Sequence, residues 1–284
     1  MSKPQSIRQS VIAGSWYPGT EAGLTRTVDD YLGRVAAESL LPGQLIGLIC
    51  PHAGYAYSGP TAAYAYHQLQ GRSVDTVVLM GPSHRAWVGD YAVSVEDAYE
   101  TPLGLVPLDL EFIAALAGRV SLTRTRRDAE HSLEIQLPFL QRQLSGFRLV
   151  PIMMSADDPA VARRLADALV ETIREQPERA GHILLVASSD LHHIEDYDQV
   201  VRRDQRVVDA VAAYDLEVLA AVLMDPHSTV CGRMPILTAC YAGQALGADR
   251  SKVLHHTTSG DVTGDRTPGQ YTVGYMAAAL HRSQ

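Results

Sequence analysis

Histidine side chains follow three of the most apolar segments of this 284-residue chain. A neutral imidazole is the commonest metal ligand in proteins, and its pKa near neutral pH suits it to general acid–base catalysis. The carboxyl ends of neighbouring strands in an open α/β sheet share one edge, where ligands bind. These histidines could therefore form one metal or proton-transfer site. The segments and the residues that follow them are 45–50 with His52, 76–80 with His84, and 183–187 with Asp190, His192 and His193.

The loops that carry the first two histidines contain Pro, Gly and Ser, which can hold an imidazole at a set angle. For a single histidine, a structural role would be the simpler interpretation. His52 and His84 occupy equivalent positions after two strands, so a pair of metal ligands is an equally good interpretation.

The segment after the third strand brings a carboxylate close to two imidazoles. Asp190 could orient one imidazole through its ring N–H, and that histidine could then act as general acid or base. The alternative is that Asp190 caps the following helix while His192 and His193 are polar surface groups. The sequence leaves both interpretations open.

Two further segments carry candidate site residues. His131 lies two residues, or about 200° of helical rotation, from Leu133, so it points away from the apolar face towards either a cleft or solvent. Cys231 precedes a predicted helix, where a thiolate has a lowered pKa and is a better ligand or nucleophile. A small buried apolar residue is the alternative for this cysteine.

Several common chemistries are excluded by missing motifs. The chain has no G-x-x-x-x-G-K-[ST] phosphate loop and no G-x-G-x-x-G dinucleotide motif after a strand. It also lacks the G-x-S-x-G motif of α/β-hydrolases and the H-E-x-x-H motif of zincins. No C-x-x-C pair is present for a structural zinc site.

Composition limits the partners. The net charge is −8 and no Lys/Arg block exceeds two residues, so neither nucleic acid nor an anionic membrane is expected as a partner. We interpret two small arginine clusters as solvated faces, with phosphate or carboxylate contact as the alternative. A polar start, the lack of an apolar run of about 18 residues and only three cysteines favour a cytoplasmic protein. The clusters are Arg124, Arg126 and Arg127, and Arg202, Arg203 and Arg206.

The elements that must position these residues alternate between strands and helices. Continuous Val/Ile/Leu runs predict strands buried on both faces. We therefore predict one α/β domain over residues 1–284, with a central, mostly parallel or mixed sheet covered by helices on both faces. The predicted strands are 45–50, 76–80, 91–95, 147–153, 182–187, 251–257 and 270–276. One predicted helix starts near Ser58 as N-cap and has Pro60 in its first turn. The other predicted helices are 109–118, 130–144, 159–174, 196–212, 215–224 and 233–246. Residues 259–265 are predicted to form a glycine-rich loop.

Taken together, the motifs resemble the Memo family, including its AmmeMemoRadiSam-associated bacterial and archaeal members. The resemblance spans nearly the whole chain, with the motifs in the family's order. The resemblance implies a fold similar to the LigB-type extradiol dioxygenases, which are non-haem Fe(II) enzymes that open catechol rings. The matching segments are Ala13–Tyr17, Pro51–Tyr55, Gly81–His84, Glu130–Glu134, Ser188–His193, Cys231–Arg233 and Val273–Tyr275.

The resemblance implies a role for each candidate site residue. It implies His52, His84 and Cys231 as metal ligands and His193, rather than His192, as the acid–base histidine. His131 and Asp190 match residues that line the same cleft. Ring-cleaving dioxygenases use two histidines and one carboxylate, so the thiolate is a departure that could also favour copper(I) or zinc.

We therefore expect an iron(II)-dependent, dioxygenase-like oxidoreductase that acts on a small aromatic or enolisable substrate. In this hypothesis, Asp190 steers the His193 imidazole. One alternative is a non-catalytic binding or regulatory protein that uses the same pocket for a short peptide or metabolite. Another is a metal-assisted hydrolase, because a bound metal can lower the pKa of coordinated water to about 7. The sequence specifies neither the substrate nor the oligomeric state.

Overall fold

Four parallel strands form the centre of the computed structural model, which describes residues 4–126 and 128–283. The strands in these ranges are β1 Ile7–Arg8, β2 Gln44–Cys50, β3 Thr76–Pro82, β4 Tyr91–Ser94, β5 Ala98–Thr101, β6 Gly104–Pro107, β7 Leu122–Thr125, β8 Arg148–Met154, β9 Ile183–Ser188, β10 His193–Ile194, β11 Arg250–Thr258 and β12 Thr272–Arg282. The α-helices are α1 Glu21–Gly33, α2 Tyr55–His67, α3 Leu110–Ala117, α4 His131–Glu134, α5 Leu137–Gln143, α6 Pro159–Arg174, α7 Tyr197–Ala213, α8 Leu216–Leu223, α9 Arg233–Ala245 and α10 Ser259–Thr263.

The main sheet is mixed and has the strand order β10-β12-β2-β9-β3-β8-β4-β7, with β11 also paired to β12. The four central strands β2, β9, β3 and β8 run parallel. Antiparallel pairs join β12 to β2 and β4 to β8. A separate three-stranded sheet contains β1, β5 and β6. The predicted α/β class is confirmed.

Helices cover the sheet. Helices α2 and α9 both pack against β2, with α1 and α5 against α2, and α6 and α8 against α9. Residues Leu45–Cys50 of β2 and all residues of β3 and β9 are buried. This is the environment that continuous apolar runs predict, because a strand covered on both faces has no solvent-facing side.

The predicted start of helix α2 was wrong. Ser58 is not its N-cap, because α2 already begins at Tyr55 after Gly54, whose carbonyl accepts from the amides of Tyr57 and Ser58. The Ser58 hydroxyl donates to the Ala53 carbonyl instead. Pro60 therefore lies within the helix rather than in its first turn.

The predicted helix over 130–144 is interrupted. Its residues form the separate helices α4 and α5, and Pro138 occupies the second position of α5. Proline has no N–H to donate to the preceding turn, which opposes a continuous helix through this point. The break leaves Gln136 buried between the two helices, where its amide reaches the ends of two strands.

Smaller differences occur at the edges of the fold. The segment predicted as a glycine-rich loop contains α10, which begins with a capping box between Thr258 and Asp261. The last strand extends to Arg282 rather than to residue 276. Helix α1 and the short strands β1, β5, β6, β7 and β10 were not predicted. Arg127 of the first arginine cluster lies outside the described residues.

Among residues 4–126 and 128–283, no helix has both the length and the apolar composition needed to cross a bilayer.

Candidate metal centre and cleft

The carboxyl ends of three adjacent parallel strands bring the candidate site together. The loops after β2, β9 and β3 carry His52, Asp190 and His84, and β9 lies between the other two strands. Cys231 joins them from the segment before α9. One potential ligand atom from each of His52, His84 and Cys231 lies within 4.8 Å of the other two. Three side chains that are distant in sequence can therefore reach one ion.

The hydrogen bonds of His52 determine its tautomer. The Ser188 hydroxyl donates its single proton to the carbonyl of Ser132 at 2.6 Å. It must therefore accept from Nδ1–H of His52, 2.9 Å away. Nε2 of His52 is left with its lone pair and lies 3.1 Å from Sγ of Cys231. Burial lowers the pKa of His52 well below its usual value, which keeps this imidazole neutral.

Glu130 orients the second imidazole in the same way. Its carboxylate accepts from Nδ1 of His84 at 2.9 Å and from the His84 amide at 2.6 Å. Burial raises the pKa of Glu130, but these bonds and the Ser132 amide outweigh burial and lower the pKa to about 2. The carboxylate thus holds Nδ1–H and leaves Nε2 of His84 free to bind a cation.

Cys231 is half-buried beside the imidazole of His52. Its sulfur lies 3.6 Å from the Asp190 carbonyl. Burial, followed by the charge of Asp190, raises the pKa of this thiol. The position of Cys231 before a helix had predicted a lowered pKa, and that prediction is wrong for the protein without a bound metal. A bound divalent cation would itself deprotonate a coordinating thiol.

His131 faces the cleft, one of the two orientations that the sequence left open. Its ring lies between Trp16, with ring centroids 4.4 Å apart, and His84, with centroids 4.6 Å apart. Burial lowers its pKa to about 4, and Nδ1 lies 3.2 Å from Oε1 of Glu130 without making a hydrogen bond in the described residues. His131 is therefore a neutral aromatic wall with one unused polar atom.

Asp190 does not hold the imidazole of His193, which corrects the sequence hypothesis. Its Oδ1 accepts from the backbone amides of His52 at 2.7 Å and Ala53 at 3.3 Å. It caps no helix either, since Asp196 caps α7. Burial raises the pKa of Asp190 to about 7, partly offset by the two amides. Asp190 therefore fixes the loop that carries the His52 ligand.

His193 contacts a tyrosine that the sequence did not single out. Its Nδ1 lies 3.2 Å from the hydroxyl of Tyr271, and its Nε2 is buried with no partner in the described residues. Burial lowers the pKa of His193 to about 4, with the charge of His84 as a smaller cause. At neutral pH this imidazole is neutral, so one of its two ring nitrogens carries a lone pair.

These side chains line a cleft with a volume of about 690 Å³. Aromatic rings form much of its wall, and Asp190 and Asp265 are the carboxylates that line it. No lysine or arginine is among its described lining residues. The cleft can accept an aromatic group, and near the mouth Tyr57 and Tyr271 are about half exposed, at 45% and 55%. The lining aromatic residues are Trp16, Tyr57, Tyr271 and Tyr275, together with the histidines His52, His84, His131 and His193.

A second cluster has ligand atoms close enough for an ion, namely His84, Glu130 and His131. We favour the first set, because the Glu130 carboxylate already accepts three hydrogen bonds from His84 and Ser132. In that arrangement Glu130 supports a ligand rather than serving as one.

The partners of the candidate residues were harder to predict than the residues themselves. Glu130 and Ser188 lie inside the quoted motifs, next to His131 and at a strand end, but they received no role. Tyr271 gave no recognisable signal, because nothing in its local sequence links it to a residue 78 positions away.

A family model described as Memo-like protein matches residues 8–279 of the chain. The chain belongs to the Memo-like family.

Relatives of this Memo-like protein match it along almost their whole length. A MEMO1 family protein of Methanothermobacter thermautotrophicus is 34% identical over 278 residues, covering 95% of this chain and 98% of the relative. One from Ignicoccus hospitalis is 36% identical over 284 residues, covering 95% and 97%. One from Thermotoga neapolitana is 34% identical over 293 residues, covering 96% and 99%. The family assignment made from the motifs is confirmed.

Proposed function

We propose that this Memo-like protein binds one metal ion through His52, His84 and Cys231 and acts as a non-haem iron(II)-dependent oxidoreductase on a small aromatic or enolisable substrate. The observation that carries the proposal is the convergence of two imidazoles and a thiol within 4.8 Å, with both imidazoles lining the cleft.

The donor set fits a transition metal. Both imidazoles use Nδ1–H for hydrogen bonds to Ser188 and Glu130, so their Nε2 lone pairs are available. Imidazole suits iron, copper and zinc, and thiolate favours the softer of these ions. Copper(I) and zinc therefore remain alternatives to iron(II). Bound iron(II) would supply one-electron redox chemistry and open coordination positions for substrate and O₂.

The protein's own residues would bind the substrate and move its proton. The aromatic walls suit an uncharged ring, and the phenol of Tyr271 offers a hydrogen bond at the mouth. Nε2 of His193 has no protein partner and would accept a proton from a bound phenol or enol. Its Nδ1 stays with Tyr271, which keeps the ring in one orientation.

The direct experiment is metal analysis of protein purified and loaded without oxygen. We expect about one metal ion per chain for the native protein and loss of that ion in His52→Ala, His84→Ala and Cys231→Ser. His182→Ala is the matched control, because that imidazole is half exposed on the surface, far along the chain from the three ligands. A protein that stays metal-free when offered iron(II), or variants that bind as the native protein does, would refute the proposal.

Oxygen consumption then separates the alternatives. The proposal predicts substrate-dependent O₂ uptake by the iron-loaded protein that His193→Ala abolishes. Zinc retention with hydrolysis under strictly anaerobic conditions would instead indicate a metal-assisted hydrolase. Partner binding that survives in the ligand variants, without O₂ uptake on any aromatic substrate, would indicate a binding or regulatory protein for a short peptide or metabolite.

A further inference from the structure

A second, smaller cavity is lined by His192, the residue before His193. We call it the side cavity. Its volume is about 120 Å³, enough for several water molecules or one small oxyanion. Its polar lining residues are His192, Arg203, Arg206, Asp225, His227 and Ser228.

His192 is held in one tautomer at the wall of this cavity. Asp204 is fully buried, and its Oδ1 accepts from Nδ1 of His192 at 2.8 Å and from the His192 amide at 3.0 Å. Its Oδ2 lies 3.0 Å from Nε2 of His256. These contacts occupy Nδ1 and leave Nε2 of His192 without a protein partner among the described residues.

The side cavity has more hydrogen-bond donors than the protein uses, and those of Arg206, whose side chain is 59% exposed, are open to water. A guanidinium carries five N–H groups. Arg203 spends two of them, on the His227 carbonyl and on Gln199, and Arg206 spends one on Asp225. The hydroxyl of Ser228 is buried and has no partner in the described residues. Surplus donors around a polar cavity match the acceptor oxygens of an anion.

The charge balance points the same way. Two guanidinium groups and one carboxylate, Asp225, line the side cavity, so its lining is net positive, while the Asp204 carboxylate lies behind His192. The main cleft has no lysine or arginine among its described lining residues. A shallow groove that shares His193 and Tyr271 with the cleft, and Arg203 and His227 with the side cavity, connects the two. Glu195 is the carboxylate on the wall of that groove.

We propose that the side cavity is a binding site for a small oxyanion, a carboxylate or a phosphate, held by Arg203, Arg206 and the hydroxyl of Ser228 beside Nε2 of His192. This site is independent of metal binding. It gives two members of the second arginine cluster a ligand, whereas the sequence favoured a solvated face. The oxyanion is either a free anion or the acidic end of a molecule whose other end lies in the main cleft.

The test is a titration of the full chain, labelled with ¹⁵N-histidine, at pH 7 and constant ionic strength. Inorganic phosphate, acetate and 3-(4-hydroxyphenyl)propanoate are added in turn while the ring nitrogens of His192 are followed by NMR. We expect saturable shifts at Nε2 of His192. The double variant Arg203→Gln/Arg206→Gln should weaken binding about 10-fold or more, because hydrogen bonds to charged groups are lost.

Two further variants keep the test decisive. Arg202→Gln is the matched control, since it removes the same charge from an exposed position on the same helix that does not line the side cavity. Ser228→Ala removes only the unpartnered hydroxyl and should weaken binding even if the double variant does not fold. No saturable shift with any of the three anions, or an equal loss of affinity in Arg202→Gln, would overturn the proposal.

The third anion distinguishes the two sources. If the aromatic acid binds more tightly than acetate, and the double variant loses that gain, the side cavity holds the acidic end of a longer molecule. If phosphate saturates the site and the aromatic ring adds nothing, the ligand is a free anion. Either result supports an oxyanion site.

Discussion

At the scale of single residues, the site depends on groups that fix which ring nitrogen of each ligand is free. Ser188 and Glu130 each accept a hydrogen bond from Nδ1–H of a histidine, so that Nε2 carries the lone pair. A histidine without such a partner could present either nitrogen, and part of the affinity would be lost in selecting one. The two partners are therefore as much a part of the candidate centre as the ligands.

Glu130→Gln tests this role. The amide still accepts a hydrogen bond from His84 but loses the negative charge that strengthens it. We expect metal affinity to fall about 10- to 100-fold, as for other residues that support metal-bound histidines. Competition with a calibrated chelator measures the change, and the exposed Glu178→Gln is the matched control. Unchanged affinity in Glu130→Gln would show that the carboxylate does not support the ligand.

The sequence predicted which residues would meet but assigned one partner wrongly. Asp190 lies three positions from His193, and that proximity suggested a carboxylate–imidazole pair. In the structure Asp190 accepts from the amide of His52, 138 positions away, and His193 contacts Tyr271. Proximity along a loop does not determine side-chain direction, because successive residues point to different sides of the chain.

At the scale of elements, the buried strands were the most predictable part. Strands β2, β3, β8 and β9 were predicted to within two residues, because burial on both faces leaves an unmistakable apolar run. Helix α6 was predicted with its exact bounds, and in the structure Asp158 is its N-cap and Pro159 lies in its first turn. The short edge strands were missed because they are half exposed or only a few residues long, so no alternation develops.

Helix α7 packs so closely on strand β12 that only glycine fits at one point. A Cβ added to Gly274 would lie 1.7 Å from Oδ2 of Asp204, the carboxylate shared by His192 and His256. We expect Gly274→Ala to lower the free energy of unfolding by about 1–3 kcal/mol or more. Urea denaturation measures it.

Gly33→Ala is the control for that substitution. Gly33 ends α1, and an added Cβ would meet nothing within 4 Å. Alanine is the better helix former, so this variant should be as stable as the native protein or more stable by up to about 1 kcal/mol. If both variants lose a similar free energy of unfolding, the loss in Gly274→Ala comes from backbone entropy and not from the close packing of α7 on β12.

The N-terminal segment is fastened to α4 by one buried carboxylate. Glu134 pairs with the guanidinium of Arg8 and accepts from Ser10 at 2.5 Å and Tyr17 at 2.6 Å. Burial raises the pKa of Glu134, but Arg8 and these hydrogen bonds outweigh it, so the pKa lies below 4.5. The resulting stabilisation is complete above pH 4.5, the unfolded value, and is lost as the pH falls through the lower folded pKa.

Glu134→Gln should therefore lower stability at neutral pH, by up to about 3–5 kcal/mol, the loss being limited because Asp128 remains 3.6 Å from the Arg8 guanidinium. The difference from the native protein should narrow as the pH falls below 4.5. Urea denaturation at pH 7 and at several lower values measures both effects, with Glu178→Gln as control. A difference that is constant with pH would contradict the role of the ionised carboxylate.

At the scale of the whole molecule, the topology makes the site. His52, His84 and Cys231 are spread over 180 positions, and the parallel order β2-β9-β3 places the loops of the first two at one edge. The alternation of strands and helices predicted this edge, because parallel strands share the direction of their carboxyl ends. The alternation could not predict that Cys231 lies near the same edge, since this residue precedes a helix and its position depends on tertiary packing.

The central claim is that one ion would bind to two imidazoles and one thiolate. X-ray absorption spectroscopy of protein loaded with iron(II) without oxygen examines that ligand set directly, with the native chain and Cys231→Ser compared. We predict one sulfur and at least two nitrogen scatterers around the metal in the native protein, and loss of the sulfur alone in the variant. A native spectrum without sulfur, or a variant spectrum identical to it, would contradict the account.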